Sequence, residues 1–241
     1  DKPPAQPNHI FNTHPEYLTK DSLGQRRIAK GWYLDPGHPE ANKTILNMAK
    51  DIVSRYDIDG FHWDYFRYPT QDSGYNETAL DRFNQECGRT GKPDPKDPQF
   101  CDWRRRQVTK FLRSANTQLR RARPNLLISA AVFANIDDSR NYRFADWPQW
   151  CKQGIVDFCV PMNFTTNSAL FERRVAEIEV KAETKRVWMG IGGYMNSPQD
   201  ILAQIERLKG FPGVLLYSYR KPSALPNDYA QALDAVGSPS N

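Results

Sequence analysis

The sequence predicts an α/β fold built on a parallel sheet, and three observations carry that prediction. Short apolar runs alternate with helical stretches along most of the chain. The runs are apolar throughout rather than at every second residue, as strands covered on both faces are. The length, 241 residues with 39% hydrophobic and 25% charged, suits one soluble globular domain spanning 1–241. No run approaches the roughly 18 to 20 apolar residues of a membrane span, which excludes a helical membrane protein.

From Pro39 to Tyr56, apolar residues at Ile45, Met48, Ala49, Ile52, Val53 and Tyr56 keep the spacing of an amphipathic helix, with Pro39 and Glu40 in its first turn. Ile58 to Tyr65 follows as a short aromatic-rich strand. A long irregular stretch runs from Arg67 to Cys101, broken by a short helix near Thr78 to Cys87 and a Pro-rich segment at Lys92 to Pro98. Trp103 to Arg123 is a strong helix with Val108, Phe111, Leu112, Ala115 and Leu119 on one face. The rest of the chain alternates: strand Leu126 to Phe133, short helix Asp146 to Gly154, strand Val156 to Asn163, helix Ala169 to Glu183. Strand Val187 to Ile191, helix Pro198 to Lys209, strand Gly213 to Tyr219 and a closing helix near Asn227 to Val236 complete it. Five strands in strict alternation with helices imply right-handed parallel crossovers.

Lys plus Arg exceeds Asp plus Glu by five, 33 against 28, a mild excess that does not call for nucleic acid. Cys87, Cys101, Cys151 and Cys159 form no CxxC pair and have no His at ligand spacing, so no metal site is predicted. Cys87 and Cys101 are candidates either for a loop disulfide or for free thiols. Asp1 to Asn8 has no apolar core of a secretion signal. Gly190-Ile191-Gly192-Gly193 lacks the helix spacing of a dinucleotide loop and is read as letting backbone approach a ligand; no GxSxG elbow is present. No cofactor is predicted.

The strand ends hold the candidate chemistry. Period-two geometry puts Ile58, Gly60, His62 and Asp64 on one face of their strand and Asp59, Phe61 and Trp63 on the other. Bulky aromatics belong against helices, which turns His62 and Asp64 to the inside. Asp64 ends its strand at the carboxyl side, where parallel α/β folds carry their sites, and Tyr65, Arg67 and Tyr68 follow as groups able to hold a polar ring. Asn163, Tyr194 and Tyr217 at other strand ends add amide and aromatic groups of the kind that bind sugar.

Two segments carry a family resemblance: Leu34-Asp35-Pro36-Gly37-His38-Pro39, and Tyr56 through Asp64-Tyr65-Phe66-Arg67-Tyr68-Pro69. Asp102-Trp103-Arg104-Arg105, Ile128 to Phe133, and Trp150 through Asp157 to Asn163 follow in the same order. Together they resemble the glycosyl-hydrolase-like family 10 of bacterial proteins. The family often has Asn at Asp35, and Gln or Tyr at Met162 and Asn163. The resemblance implies a TIM (β/α)8 barrel, an extracytoplasmic bacterial setting, and hydrolysis of glycosidic bonds in a polysaccharide such as cell-wall glycan. It makes Asp64 the catalytic or substrate-binding carboxylate, with His62, Tyr65 and Arg67 around it.

In that family the Asp35 segment precedes the fourth strand, and only 34 residues come before it here. The chain therefore reads as strands four to eight, a partial barrel completed by a missing N-terminal segment or another chain; an uncovered half would expose strand edges and an apolar face. Glycoside hydrolysis usually uses two carboxyl groups. Asp137 and Asp138, past the strand ending at Phe133, are the nearest partners for Asp64. Glu172 lies in a predicted helix and reads as a surface charge. The alternative is a non-catalytic carbohydrate-binding barrel lacking the second carboxylate. A third reading, a binder of anionic polymers, would rest on Arg104, Arg105, Arg106, Lys110, Arg113, Arg120, Arg121 and Arg123, most of them on one outer helix face, where such runs are usually just solvated.

Overall fold

The computed structural model describes residues 6–218. Five strands, β1 (Gly60–Trp63), β2 (Leu127–Phe133), β3 (Phe158–Asn163), β4 (Trp188–Gly192) and β5 (Gly213–Tyr217), pair in chain order, every neighbour parallel. A doubly wound sheet would reverse its order at a switch point. A sheet that only ever adds the next strand on the same side, with right-handed crossovers, curls instead, and the five strands form half of a TIM-type barrel.

Before and between the strands lie α1 (Ile10–Thr13), α2 (Pro39–Arg55), α3 (Glu77–Cys87), α4 (Pro98–Ala122), α5 (Ile136–Asn141), α6 (Trp147–Lys152), α7 (Ser168–Lys181) and α8 (Pro198–Arg207). Among the described residues no helix is long and apolar enough to cross a membrane. Helix α4 starts at Pro98, five residues ahead of the expected Trp103. Asp97 caps it by accepting from the Phe100 N–H (2.9 Å), and Pro98 sits in the first turn, where a missing N–H costs nothing. The proline that looked like a breaker is a starter. Helix α5 was not anticipated; its six residues are too few for a periodic signal, and Asn135 caps it through the Asp138 N–H at 2.8 Å.

The core lies between the sheet and the helices. Trp63, Ile128, Ala130, Val132, Cys159, Met189 and Ile191 face outward into it, packing against Val108, Leu112, Ala115 and Leu119 of α4 and Val175 and Ile178 of α7. Asn116 of α4, almost fully buried, accepts from Trp63 Nε1 and donates to the Ile155 carbonyl, both at 2.8 Å, tying α4 to β1 and to the approach to β3. A smaller cluster of Tyr75, Ala79, Phe83, Phe100 and Trp103 joins α3 to the start of α4. Gly37 makes that junction possible: a Cβ there would meet both Ala79 Cβ and Trp103 Cη2 at 2.8 Å.

Arg104 does not belong to the outer basic face. It is fully buried between the rings of Phe100 and Phe144, at 4.1 and 3.9 Å, and donates to the carbonyls of Gln71, Ser73 and Pro95. Three acceptors and two aromatic faces replace the water its charge gives up. Several other arginines of α4 are also engaged: Arg105 pairs with Asp102, and Arg120 with Asp157 at 3.0 Å; Arg123, which caps the helix, pairs with Asp57 at 2.6 Å. All four cysteines are free thiols, which decides against the Cys87–Cys101 disulfide. Tyr219 and the expected helix at Asn227 to Val236 lie outside the described residues.

Candidate active site at the rim of the half-barrel

Strand alternation places His62 on the concave side and Trp63 in the helical layer. His62 Nδ1 meets Ser129 Oγ of β2 at 2.8 Å. Burial pushes the imidazole pKa down, and the nearby Asp64 charge opposes the shift without overcoming it. Asp64 follows directly after β1, exposed, its Oδ1 accepting from the Tyr65 N–H at 2.7 Å.

Tyr65 has φ of +56°, a left-handed conformation uncommon for any residue but glycine. Such a turn costs roughly 1 to 2 kcal/mol and is tolerated where it aims a side chain. Here it reverses the chain immediately after Asp64 and leaves the Tyr65 ring exposed. The Arg67 guanidinium lies over that ring at 4.5 Å and over the Phe133 ring of β2 at 4.9 Å. Burial lowers the Arg67 pKa, with Asp64 the largest opposing influence. One of its terminal nitrogens, Nη1, is buried without a hydrogen-bond partner. His62, Asp64, Tyr65 and Arg67 share a cavity of about 390 Å³ with Trp32, Tyr33, Leu34 and Pro36, along the free edge of β1.

The other predicted residues divide. Tyr68 is fully buried; its hydroxyl donates to Asp35 Oδ1 at 3.1 Å and its ring packs edge-on against Phe144. It braces the loop and has no face for a ligand. Asn163 is fully buried too, because it points with Cys159 and Pro161 into the helical layer, donating to the Phe171 carbonyl of α7 at 3.3 Å. Both are corrected from ligand contacts to internal struts. Asp137 is exposed and pairs with Lys181 of α7 at 3.6 Å. Asp138 pairs with Arg143 at 3.5 Å, and Arg143 lies 4.8 Å from the Phe133 ring that Arg67 also covers. That places Asp138, and not Asp137, in the network reaching Arg67.

Tyr194 and Tyr217 do come together, at the far end of the half-barrel, with a third ring that sequence reasoning missed. Phe164 stacks on Tyr217 with centroids 5.3 Å apart and 13° between planes, while Tyr194 stands nearly perpendicular to both at 5.9 and 6.4 Å. The glycines of β4 make the room. A Cβ on Gly190 would meet the Pro161 carbonyl at 3.0 Å and Phe164 at 3.4 Å, and one on Gly192 would meet Met195 Sδ at 2.8 Å. The run expected to admit a ligand to backbone instead admits Phe164 and Met195. Two glycines on the concave face of one strand were the signal available for them.

Five parallel strands curled into half of a barrel, with polar groups on the carboxyl rim, are the fold that the comparisons with known proteins return. Residues 3–195 match Glycosyl hydrolase-like 10, and the chain belongs to that family. Among curated relatives, glycosyl hydrolase YngK of Bacillus subtilis (strain 168) is 28% identical over 169 residues, covering 64% of this chain and 31% of that protein. Glycosyl hydrolase DigH of Escherichia coli (strain K12) is 23% identical over 209 residues, covering 78% of this chain and 44% of the relative. The chain thus spans less than half the length of either relative. Among solved structures, the glycoside hydrolase domain of PgaB (BpsB) from Bordetella bronchiseptica aligns with a TM-score of 0.71 at 15% identity, covering 90% of this chain and 68% of that one. Gan42B, a GH42 β-galactosidase from G. stearothermophilus, aligns at 0.70 and 11%, covering 90% and 40%. At these identities the structural likeness is one of fold. The sequence match gives the family and the structural matches give the fold.

Proposed function

We propose that this chain forms the major part of a single glycoside hydrolase barrel acting on a polysaccharide outside the cytoplasm, bacterial cell-wall glycan being the class the family resemblance favours, with Asp64 as one of two catalytic carboxylates. The observation that carries the reading is the position of Asp64: open to solvent, at the carboxyl end of β1, on the rim where α/β barrels do their chemistry. Around it His62 and Arg67 set the electrostatics, and Tyr65 offers an exposed ring to a sugar. As acid/base, Asp64 gives its proton to the leaving glycosidic oxygen as the bond from the anomeric carbon breaks and regains one from the attacking water; as nucleophile, it bonds the anomeric carbon as that same bond breaks, the second carboxyl protonates the leaving oxygen, and water then hydrolyses the glycosyl ester.

Two features remain to be supplied. The free edge of β1 and the cavity beside it are filled by further βα units, from a preceding segment or another chain, as the greater length of the relatives supports. The second carboxylate comes either from Asp138, through its link to Arg143, or from those units. Among the described residues Asp64 is the sole carboxylate within two positions of a strand's carboxyl end, and this also favours a second reading, a barrel that binds carbohydrate without cutting it.

The test is release of reducing ends from peptidoglycan-derived glycan by the protein with its barrel complete. Asp64→Asn is expected to lower turnover by about 10²–10⁴ with an unchanged melting temperature. Turnover at the wild-type rate would remove Asp64 from catalysis, and glycan binding without any turnover would establish the binding-only reading. Asp138→Asn separates the two sources of the partner: a loss as large as that of Asp64→Asn assigns it to Asp138, and retained activity assigns it to the completing units.

A further inference from the structure

The eight basic residues of α4 and its cap divide into two sets. Arg104 is buried, Arg105 and Arg120 pair with Asp102 and Asp157, and Arg123 pairs with Asp57. Arg106, Lys110, Arg113 and Arg121 are exposed, and among the described residues none of the four has a carboxylate partner. At about 100° per residue, their steps of four, three and eight keep them within about 80° of one another, on a single outer ridge. Arg106 and Lys110 stand four residues apart and Lys110 and Arg113 three, spacings at which like charges repel and weaken a helix. On α2 and α7 the same spacings hold opposite charges: Lys43 with Glu40, Arg55 with Asp51, Lys181 with Glu177. The α4 ridge keeps a repulsion that a bound anion relieves.

Arg106, Lys110 and Arg113 edge a groove of about 530 Å³ between α4 and the segment of α5 and α6. Its walls are tied together. Thr109 Oγ1 accepts from Trp150 Nε1 at 2.9 Å, Arg113 donates to Gln153, and Arg105 donates to the Arg140 carbonyl at 3.4 Å. A ligand entering a groove already held open has little to order. Helix α4 leads into β2 and α5 and α6 follow it, and β2 already has both its neighbours. Further strands would join at the outer edges of β1 and β5, away from this groove.

The three carboxylates of the groove are already answered: Asp102 by Arg105, Asp146 by Arg140 at 3.1 Å, and Glu86 by Arg82 at 3.2 Å. The charge left over is that of Arg106, Lys110 and Arg113, so the groove calls for an anion. Its walls carry no aromatic or aliphatic side chain. A single strand of nucleic acid asks for rings on which bases stack, and a membrane surface asks for an apolar face beside the cations. What stands beside the cations instead are the amides of Gln149 and Gln153 and the remaining lone pairs of Asp102 and Asp146, acceptors for hydroxyl groups.

We infer that this groove is a second ligand site, for an anionic glycan carrying a carboxylate or phosphate on successive units. The cations follow one another at about 6 and 4.5 Å along the helix axis and meet those charges, while the amide and carboxylate oxygens accept from the sugar hydroxyls. The site is separate from the Asp64 rim and does not rest on hydrolysis there.

The experiment is calorimetric binding to the protein with its barrel complete, at about 50 and 200 mM salt. The glycan probes are a galacturonic acid oligomer for the carboxylate and a sugar-bearing poly(glycerol phosphate) for the phosphate, with a neutral galactose oligomer of the same length. Polyphosphate, a single-stranded oligonucleotide and phosphatidylglycerol vesicles are the anions that are not glycans. At least one anionic glycan should bind about tenfold or more tightly than every other probe and weaken as salt rises. Arg106→Gln with Lys110→Gln should weaken it about tenfold and lower the slope of log affinity against log salt by roughly two, with no loss of melting temperature because a like-charge pair is gone. Arg173→Gln with Lys185→Gln removes the same charge from exposed positions elsewhere and should leave binding unchanged. No binding of either anionic glycan, binding matched by polyphosphate, oligonucleotide or vesicles, or an equal loss in the two double variants would overturn the site. Asp64→Asn should leave this binding as it is; its loss there would move the glycan to the rim and overturn the inference as well. Release of reducing ends is read separately, so its absence sinks the hydrolase reading and leaves this one standing.

Discussion

Asp35 carries a fully buried carboxyl whose hydrogen-bond donors are neutral: the Gly37 N–H at 2.7 Å and the Tyr68 hydroxyl. Its second oxygen has no partner. Burial outweighs those bonds and raises the pKa above the ordinary 3.8. A folded-state pKa above the unfolded one favours the fold at low pH, and that contribution is lost as pH rises through the folded value. Asp35→Asn removes the titration. Its melting temperature relative to wild type is therefore expected to climb as pH rises from about 4 toward neutrality; parallel curves would refute this. His62 has the opposite sign in effect. With its pKa pushed below 6.5, the folded state binds the proton less readily than the unfolded chain, so its contribution is complete above 6.5 and declines as pH falls below it. His62→Gln should flatten stability on that acid side, measured by denaturation at pH 5 and pH 7.

The elements show where sequence reading succeeded and where it stopped. The strands were legible because a barrel strand packs helices on one side and barrel on the other, and so reads apolar throughout. The same two-residue count that set His62 inward, applied to β3, groups Asn163 with Cys159 and Pro161 toward α7; a strand-end position alone does not say which way a side chain points. Tyr68 was misread because nothing local reveals that Asp35, 33 residues earlier, waits for its hydroxyl. Packing at element junctions yields two stability predictions. Gly37→Ala forces a methyl against Ala79 and Trp103 and should cost about 1 to 3 kcal/mol by chemical denaturation, with cavity-creating Trp103→Phe partly restoring the loss. Arg104→Met strands one buried and two half-buried carbonyls and should cost about 3 kcal/mol or more.

At the scale of the molecule, the concave face presents apolar side chains to solvent: Leu127 is 55% exposed and Trp188 38%. Contiguous apolar surface on a sheet with free edges is what proteins usually cover. The proposed completion of the barrel makes a measurable contrast. Leu127→Ser should change the stability of the five-unit chain by no more than about 0.5 kcal/mol, as at an ordinary surface position. In the complete barrel the same change should cost about 2 to 5 kcal/mol, as in a core. Equal effects in both would mean the face is not filled by further strands.

The chain-order pairing of the five strands has a kinetic meaning as well. Each strand finds its partner in the strand made just before it, so the sheet can grow unit by unit as the chain leaves the ribosome, the widest wait being the 67 residues between paired positions of β1 and β2. In the proposed complete barrel the longest-range pairing would be ring closure, where its first and last strands meet. In that barrel, folding rate measured by stopped-flow refolding should respond most to changes at the β1–β2 pairing and at the closing seam, and least to changes between the later neighbours.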